Sequence, residues 1–162
     1  MNRLFVGRHG RVNRSGNFED HEMPLIEDGK ADARAMAGRL RSEGLNPQSI
    51  IMAGLTLRTQ DTARIIKEEL HIPTLVRSEF VGKVGERPQP VEDLRGFIGD
   101  LLVTCEVDHQ DSDVVVVTHL PLVTAVAGRK PVDGGIYEVP QGWQNPKYVP
   151  GFEMMLQAPE MW

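Results

Sequence analysis

Val114-Val115-Val116-Val117-Thr118-His119-Leu120-Pro121 is the stretch that decides the fold. Four valines in a row are stiff at χ1 and pack well on a pleated surface, so the run reads as a strand. It does not alternate with polar residues, which marks a central parallel strand covered by helices on both faces. Pro121 has a fixed φ and no N–H, and it suits the first turn of a helix. His119 therefore stands at a strand-to-helix junction. The chain's other end has a similar junction: the apolar run Leu4 to Val6 ends at Gly7-Arg8-His9-Gly10. In parallel α/β sheets, ligands bind beyond the carboxyl ends of the strands. Both histidines are expected at that edge.

The elements between them alternate. Arg11 to Met23 is rich in Asn, Ser and Gly and reads as a loop. Asp28 is expected to cap a helix running to Leu40, with Ala33, Met36, Ala37 and Leu40 at helical spacing and Gly44 beyond its end. Ser49 to Ala53 reads as a strand and Arg58 to His71 as a helix with Thr62, Ile65, Ile66 and Leu70 on its apolar face, closed by Pro73. Thr74 to Val76 reads as a short strand, Arg77 to Pro90 as a loop, and Val91 to Val107 as a helix. A hairpin is expected near Ile136 to Val139, and a last strand over Phe152 to Gln157. Strands alternating with helices imply an α/β fold, a three-layer α/β/α arrangement around a mostly parallel sheet, in one domain spanning residues 1–162.

Composition narrows the function. The 162 residues are 40% hydrophobic and 25% charged, with a net charge of −5. That balance argues against nucleic acid or an anionic membrane as a partner, since either calls for a basic face. No segment has the length of a membrane span or of a signal-peptide core, and a cytoplasmic location is expected. A single cysteine, Cys105, cannot build a disulfide framework and reads as a buried, inert thiol. The five histidines show no HxxxH or HxH spacing, so no metal site is expected, and no GxxxxGK[ST] loop is present.

The two junctions suit phosphoryl transfer. Imidazole attacks phosphorus only with a free lone pair, which requires its other nitrogen to donate a hydrogen bond, often to a backbone carbonyl. His9 beside Gly10 has such carbonyls at hand. The equatorial phosphoryl oxygens must be neutralised and the group held in line. Arg8 and Arg58 can grip them bidentately, and His119 can donate to a further oxygen. A cation in a helix's first turn opposes the macrodipole, which makes sense for Arg58 if it turns inward to phosphate. His9 alone would read as a satisfied core histidine. His21, His71 and His109 lie in polar surroundings and read as surface residues. Arg11, Arg14 and Lys83 either rim the pocket or are solvated charges.

Taken together, Arg8-His9-Gly10, then Leu57-Arg58-Thr59-Gln60-Asp61-Thr62-Ala63, then Val116-Val117-Thr118-His119-Leu120-Pro121 resemble the histidine phosphatase (phosphoglycerate-mutase-like) superfamily. Within it, Asp20-His21-Glu22-Met23-Pro24-Leu25 and His119-Leu120-Pro121-Leu122-Val123 are most similar to the small SixA-type phosphohistidine phosphatases. The resemblance implies a metal-independent phosphatase without cofactors, with His9 as nucleophile and Arg8, Gly10, Arg58 and His119 around the phosphate. Its substrate would be a phosphomonoester or a phosphohistidine protein. The resemblance also implies an acid from a loop after the third strand, where Glu79 matches first and Glu86 second; Asp20 is a further candidate. The chain departs from the pattern at Gly54-Leu55, where Ser-Pro is common, and at Met23, where SixA-type loops carry Arg. Neither Asn13 nor Asn17 aligns with the Asn that other members place near the phosphate. The segment between His9 and His119 is short, which disfavours a mutase. The alternative is a catalytically weak phosphate- or phosphohistidine-binding regulatory module.

Overall fold

The valine run forms the middle of a sheet. A computed structural model describes residues 3–79, 81, 93, 96, 97, 99, 100, 103, 112–127, 134–139 and 147–148. Its strands are β1 (Leu4–Arg8), β2 (Ile50–Ala53), β3 (Thr74–Arg77), β4 (Val114–Thr118), β5 (Ile136–Val139) and β6 (Lys147–Tyr148). Their order is β3-β2-β4-β1-β5-β6. The four strands from β3 to β1 run parallel, while β5 lies antiparallel to β1 and β6 antiparallel to β5. All five residues of β4 are buried, as a strand covered on both faces requires.

Helices α1 (Glu27–Ser42), α2 (Leu57–Leu70) and α3 (Leu120–Ala127) complete the layers. One core joins Phe5, Ile51 and Val115 of the sheet to Met36 and Leu40 of α1 and Ile66 of α2. The opposite core joins Val6, Val114 and Val116 to Leu122 and Val123 of α3 and to Phe97. The sheet is thus sandwiched, and the α/β/α expectation holds. None of the described helices is long and apolar enough to cross a membrane.

Several boundaries differ from the sequence reading. The N-cap of α1 is Ile26, which makes no side-chain capping bond, and Asp28 lies inside the first turn. The chain is fixed there by backbone bonds instead: Ile26 N–H donates to the Arg11 carbonyl at 3.1 Å, and Val12 bridges Leu25. Helix α2 ends at Leu70 because His71 turns left-handed at φ 54°, before Pro73 is reached. Glu79 and Val81 have helical backbone rather than loop, and the Val81 N–H donates to Ser78 Oγ at 3.1 Å. The described positions of the expected Val91–Val107 helix are helical. Lys83, Glu86, Cys105, His109 and the expected strand Phe152 to Gln157 lie outside the described residues.

Candidate active site

Strand register brings the two histidines together. Parallel β1 and β4 pair Arg8 with Thr118, so the next residue on each chain leaves the sheet beside the other. His9 N–H still donates to the Thr118 carbonyl at 3.2 Å. The rings of His9 and His119 meet edge-to-face, with centroids 5.4 Å apart and planes at 67°. Strand β2 lies on the other side of β4, and after Ala53 its chain turns through Gly54 to Thr56 into α2. The first turn of α2 therefore points at the same edge and delivers Arg58, which is 7% exposed.

A hydrogen bond fixes the tautomer of His9. Its Nδ1 lies 2.8 Å from the Gly10 carbonyl oxygen, which can only accept, so Nδ1 carries the proton and Nε2 keeps the lone pair. Burial lowers the His9 pKa well below 6.5; the Gly10 bond opposes that shift, and His119, Arg58 and Arg8 add to it. His119 is lowered to about 4, chiefly by burial and then by Arg58, with Asp20 opposing and Arg8 adding. Both rings are neutral near pH 7. The two arginines act on both rings, so the fold gathers Arg8, His9, Arg58 and His119 at one place.

The loop after β1 is held by close backbone packing. A Cβ on Gly10 would overlap the Gly29 carbonyl, and a Cβ on Gly29 would overlap the Arg11 carbonyl. Asp32, buried in α1, accepts from the Arg11 N–H, Nε and Nη2, each at 3.0 Å. Thr62, expected only as part of an apolar face, donates its hydroxyl to the Arg58 carbonyl at 2.8 Å and accepts from the Gly10 N–H at 3.1 Å. The loop of His9 and the helix of Arg58 are thereby tied through one hydroxyl.

Asp20, in a 3₁₀ turn (Asp20–Glu22), faces the same cradle. Arg58 Nη1 donates to its carbonyl, and Nη2 approaches Oδ2 at 3.3 Å. Glu79 is exposed at the carboxyl end of β3, the sheet's edge strand. Three strand spacings, roughly 14 Å, separate β3 from β1. His21 and His71 are exposed, as expected. Arg14 is also exposed, while Arg11 is engaged by Asp32 and is no solvated charge. Asn13 folds its amide oxygen back on Ser15 and Gly16, and Asn17 is exposed. Among the described residues, no group of three His, Cys, Asp or Glu side chains is arranged to hold a metal ion.

Sequence reasoning missed Gly29, Asp32, Thr56 and Thr59 as parts of the site's framework. An acid three residues after a glycine, inside a helical pattern, was the only available signal for the first two. Thr59 lies within the motif already singled out, and Thr56 stands just before it.

Residues 4–81 match the family model of the histidine phosphatase superfamily (branch 1). No curated protein matches the chain in sequence. The fold is shared with solved structures across nearly the whole chain. One is the protein histidine phosphatase SixA complexed with tungstate: 20% identity, TM-score 0.65, 90% of this chain and 93% of that one covered. Another is a phosphoserine phosphatase mutant (H9A) from Entamoeba histolytica with phosphoserine: 12% identity, TM-score 0.66, coverage 94% and 98%. A third is a putative α-ribazole-5′-P phosphatase from Escherichia coli K-12: 17% identity, TM-score 0.63, coverage 94% and 98%.

Proposed function

We propose that this chain is a metal-independent phosphatase that hydrolyses a phosphomonoester or a protein phosphohistidine through a phosphohistidine on His9. The observation that carries this reading is the His9 Nδ1 bond to the Gly10 carbonyl, which leaves Nε2 as a neutral nucleophile beside two arginines. Nε2 attacks phosphorus, forming the P–N bond as the P–O or P–N bond to the leaving group breaks. The leaving group takes the bonding electrons and a proton from a general acid. Water then attacks the phosphoryl group, the same acid now accepting its proton, and the P–N bond breaks to release inorganic phosphate and restore His9. Arg8, Arg58 and His119 bind the phosphoryl oxygens, with Gly10 permitting the close approach of the loop.

Asp20 is the acid that the geometry favours. Among the described residues its carboxylate is the one seen against Arg58, and its charge reaches His119. A phosphate seated on Arg58 would lie beside that carboxylate. Glu79 is the alternative at the end of β3. Glu86, the other sequence candidate, is tested beside them. The similarity to a SixA structure and the short segment between the histidines support a protein-borne phosphate as substrate, and nucleic acid and membranes are not proposed as partners.

Labelling tests the nucleophile. Incubation with a labelled phosphodonor and a quench in base should leave label that acid releases, because phosphoramidates are acid-labile. Acid-stable label, or label retained by His9→Ala, would overturn the assignment. Leaving groups test the acid. Asp20→Asn should reduce turnover of alkyl phosphates by roughly 10²–10⁴-fold and that of nitrophenyl phosphate far less. If Glu79→Gln or Glu86→Gln shows that split instead, the role moves there. Absence of turnover on any phosphate, with vanadate still bound, would favour the regulatory binding module.

A further inference from the structure

Thr56 stands at the N-cap of α2, yet its hydroxyl makes no capping bond to the backbone. A threonine in that position ordinarily accepts from an N–H of the first turn. Here Thr56 Oγ1 lies 3.0 Å from Thr59 Oγ1 and 3.4 Å from His119 Nε2, and all three groups are buried. Thr59 Oγ1 also lies 2.9 Å from the Thr56 carbonyl, which can only accept.

The proton positions follow by elimination. Thr59 has one hydroxyl hydrogen and gives it to the Thr56 carbonyl. Its oxygen then accepts from Thr56, which uses the single hydrogen of Thr56. Thr56 Oγ1 can therefore only accept from His119, so Nε2 of His119 carries a proton. In the neutral ring this leaves Nδ1 bare.

We propose that Thr56, backed by Thr59, is a positioning residue that locks neutral His119 in the Nε2–H tautomer, so that His119 donates to a bound oxyanion through Nδ1 only after taking up a proton. Oxyanion binding is then linked to protonation of His119. The groups facing His119 are Arg8 at the end of β1, His9 just after it, Arg58 from α2 and Asp20 from the 3₁₀ turn. β4 and α3 contribute no charged residue. Without ligand, burial and the two arginines hold the ring neutral. A bound dianion offsets the arginines and makes the imidazolium favourable. The lock itself is a property of the ligand-free protein; its consequence for binding rests on the phosphatase reading above.

Nitrogen-15 NMR of the histidine-labelled protein reads the tautomer directly. Ligand-free wild type at pH 7 should show His119 as the Nε2–H form, and saturating vanadate should give a doubly protonated ring. In Thr56→Val the ligand-free ring should shift toward Nδ1–H, and proton uptake on vanadate binding, measured by calorimetry in buffers of different ionisation enthalpy, should fall. Thr56→Ser should restore both. Because the Thr56 side chain makes no capping bond, Thr56→Val is expected to fold, and kcat/KM should drop by about tenfold, the worth of one hydrogen bond. A wild-type Nδ1–H tautomer, or a His119 signal unchanged by Thr56→Val, would overturn the lock. A failed phosphoenzyme test with the tautomer as expected would remove the phosphatase reading alone.

Discussion

His9 combines two effects that oppose each other in most histidines. Burial makes the charged ring unfavourable, and the Gly10 carbonyl favours a proton on Nδ1; burial prevails, so the ring stays neutral with its lone pair on Nε2. In the nucleophile's role proposed for it, a neutral His9 needs no deprotonation at mildly acid pH. We therefore expect kcat/KM, corrected for substrate ionisation, not to fall as pH passes down through 6.5. The acid limb should lie well below that value. The measurement is a pH profile with nitrophenyl phosphate, where the leaving group needs little help from the acid. A limb centred near 6.5 would mean that His9 titrates as a solvated imidazole and that its burial is misjudged.

Helix α1 does more for the site than fill a layer. Its first turn lies so close to the Arg8-His9-Gly10-Arg11 loop that only glycine fits at positions 10 and 29, because the obstructing atoms are backbone and cannot rotate away. One turn on, Asp32 clamps Arg11 by three bonds. Gly29→Ala should therefore destabilise the protein by about 1–3 kcal/mol, as overpacking does, and lower vanadate affinity by displacing the loop. Gly38→Ala is the control: nothing lies within 4 Å of a Cβ there, and alanine is the better helix former. Equal stability of the two variants, measured by urea unfolding, would show that the loop yields freely. These contacts also mark the limit of what could be read beforehand. Strands β1 and β4 and their two histidines were legible because apolar runs ending in polar junctions are local patterns. The α1 cap at Ile26, the hydroxyl bridge of Thr62 and the turn of Asp20 onto Arg58 were not. Each depends on which distant backbone arrives alongside, and a threonine or glycine looks the same in sequence whether or not a partner comes.

At the scale of the molecule, the fold places two neutral histidines and two arginines at one sheet edge, and that arrangement makes stability depend on pH. In the unfolded chain a histidine binds a proton near 6.5. His119 in the folded protein binds one only at about 4, because burial and Arg58 oppose the charge. Between those values the unfolded state carries a proton that the folded state refuses, so stability falls as pH falls. The contribution is fully present above 6.5 and is lost on descending to about 4, a change of about 3 kcal/mol for this one group. His9 acts in the same direction. Any further pH dependence from other groups is a background common to wild type and variants. Urea unfolding in phosphate-free buffer should show the wild type losing more stability from pH 6.5 to 4 than His119→Gln, whose side chain does not titrate. Vanadate should flatten the wild-type slope, since a bound anion makes a protonated His119 tolerable. Identical slopes for wild type and His119→Gln would mean that His119 is solvated at the sheet edge, and the site would then be open to water even without substrate.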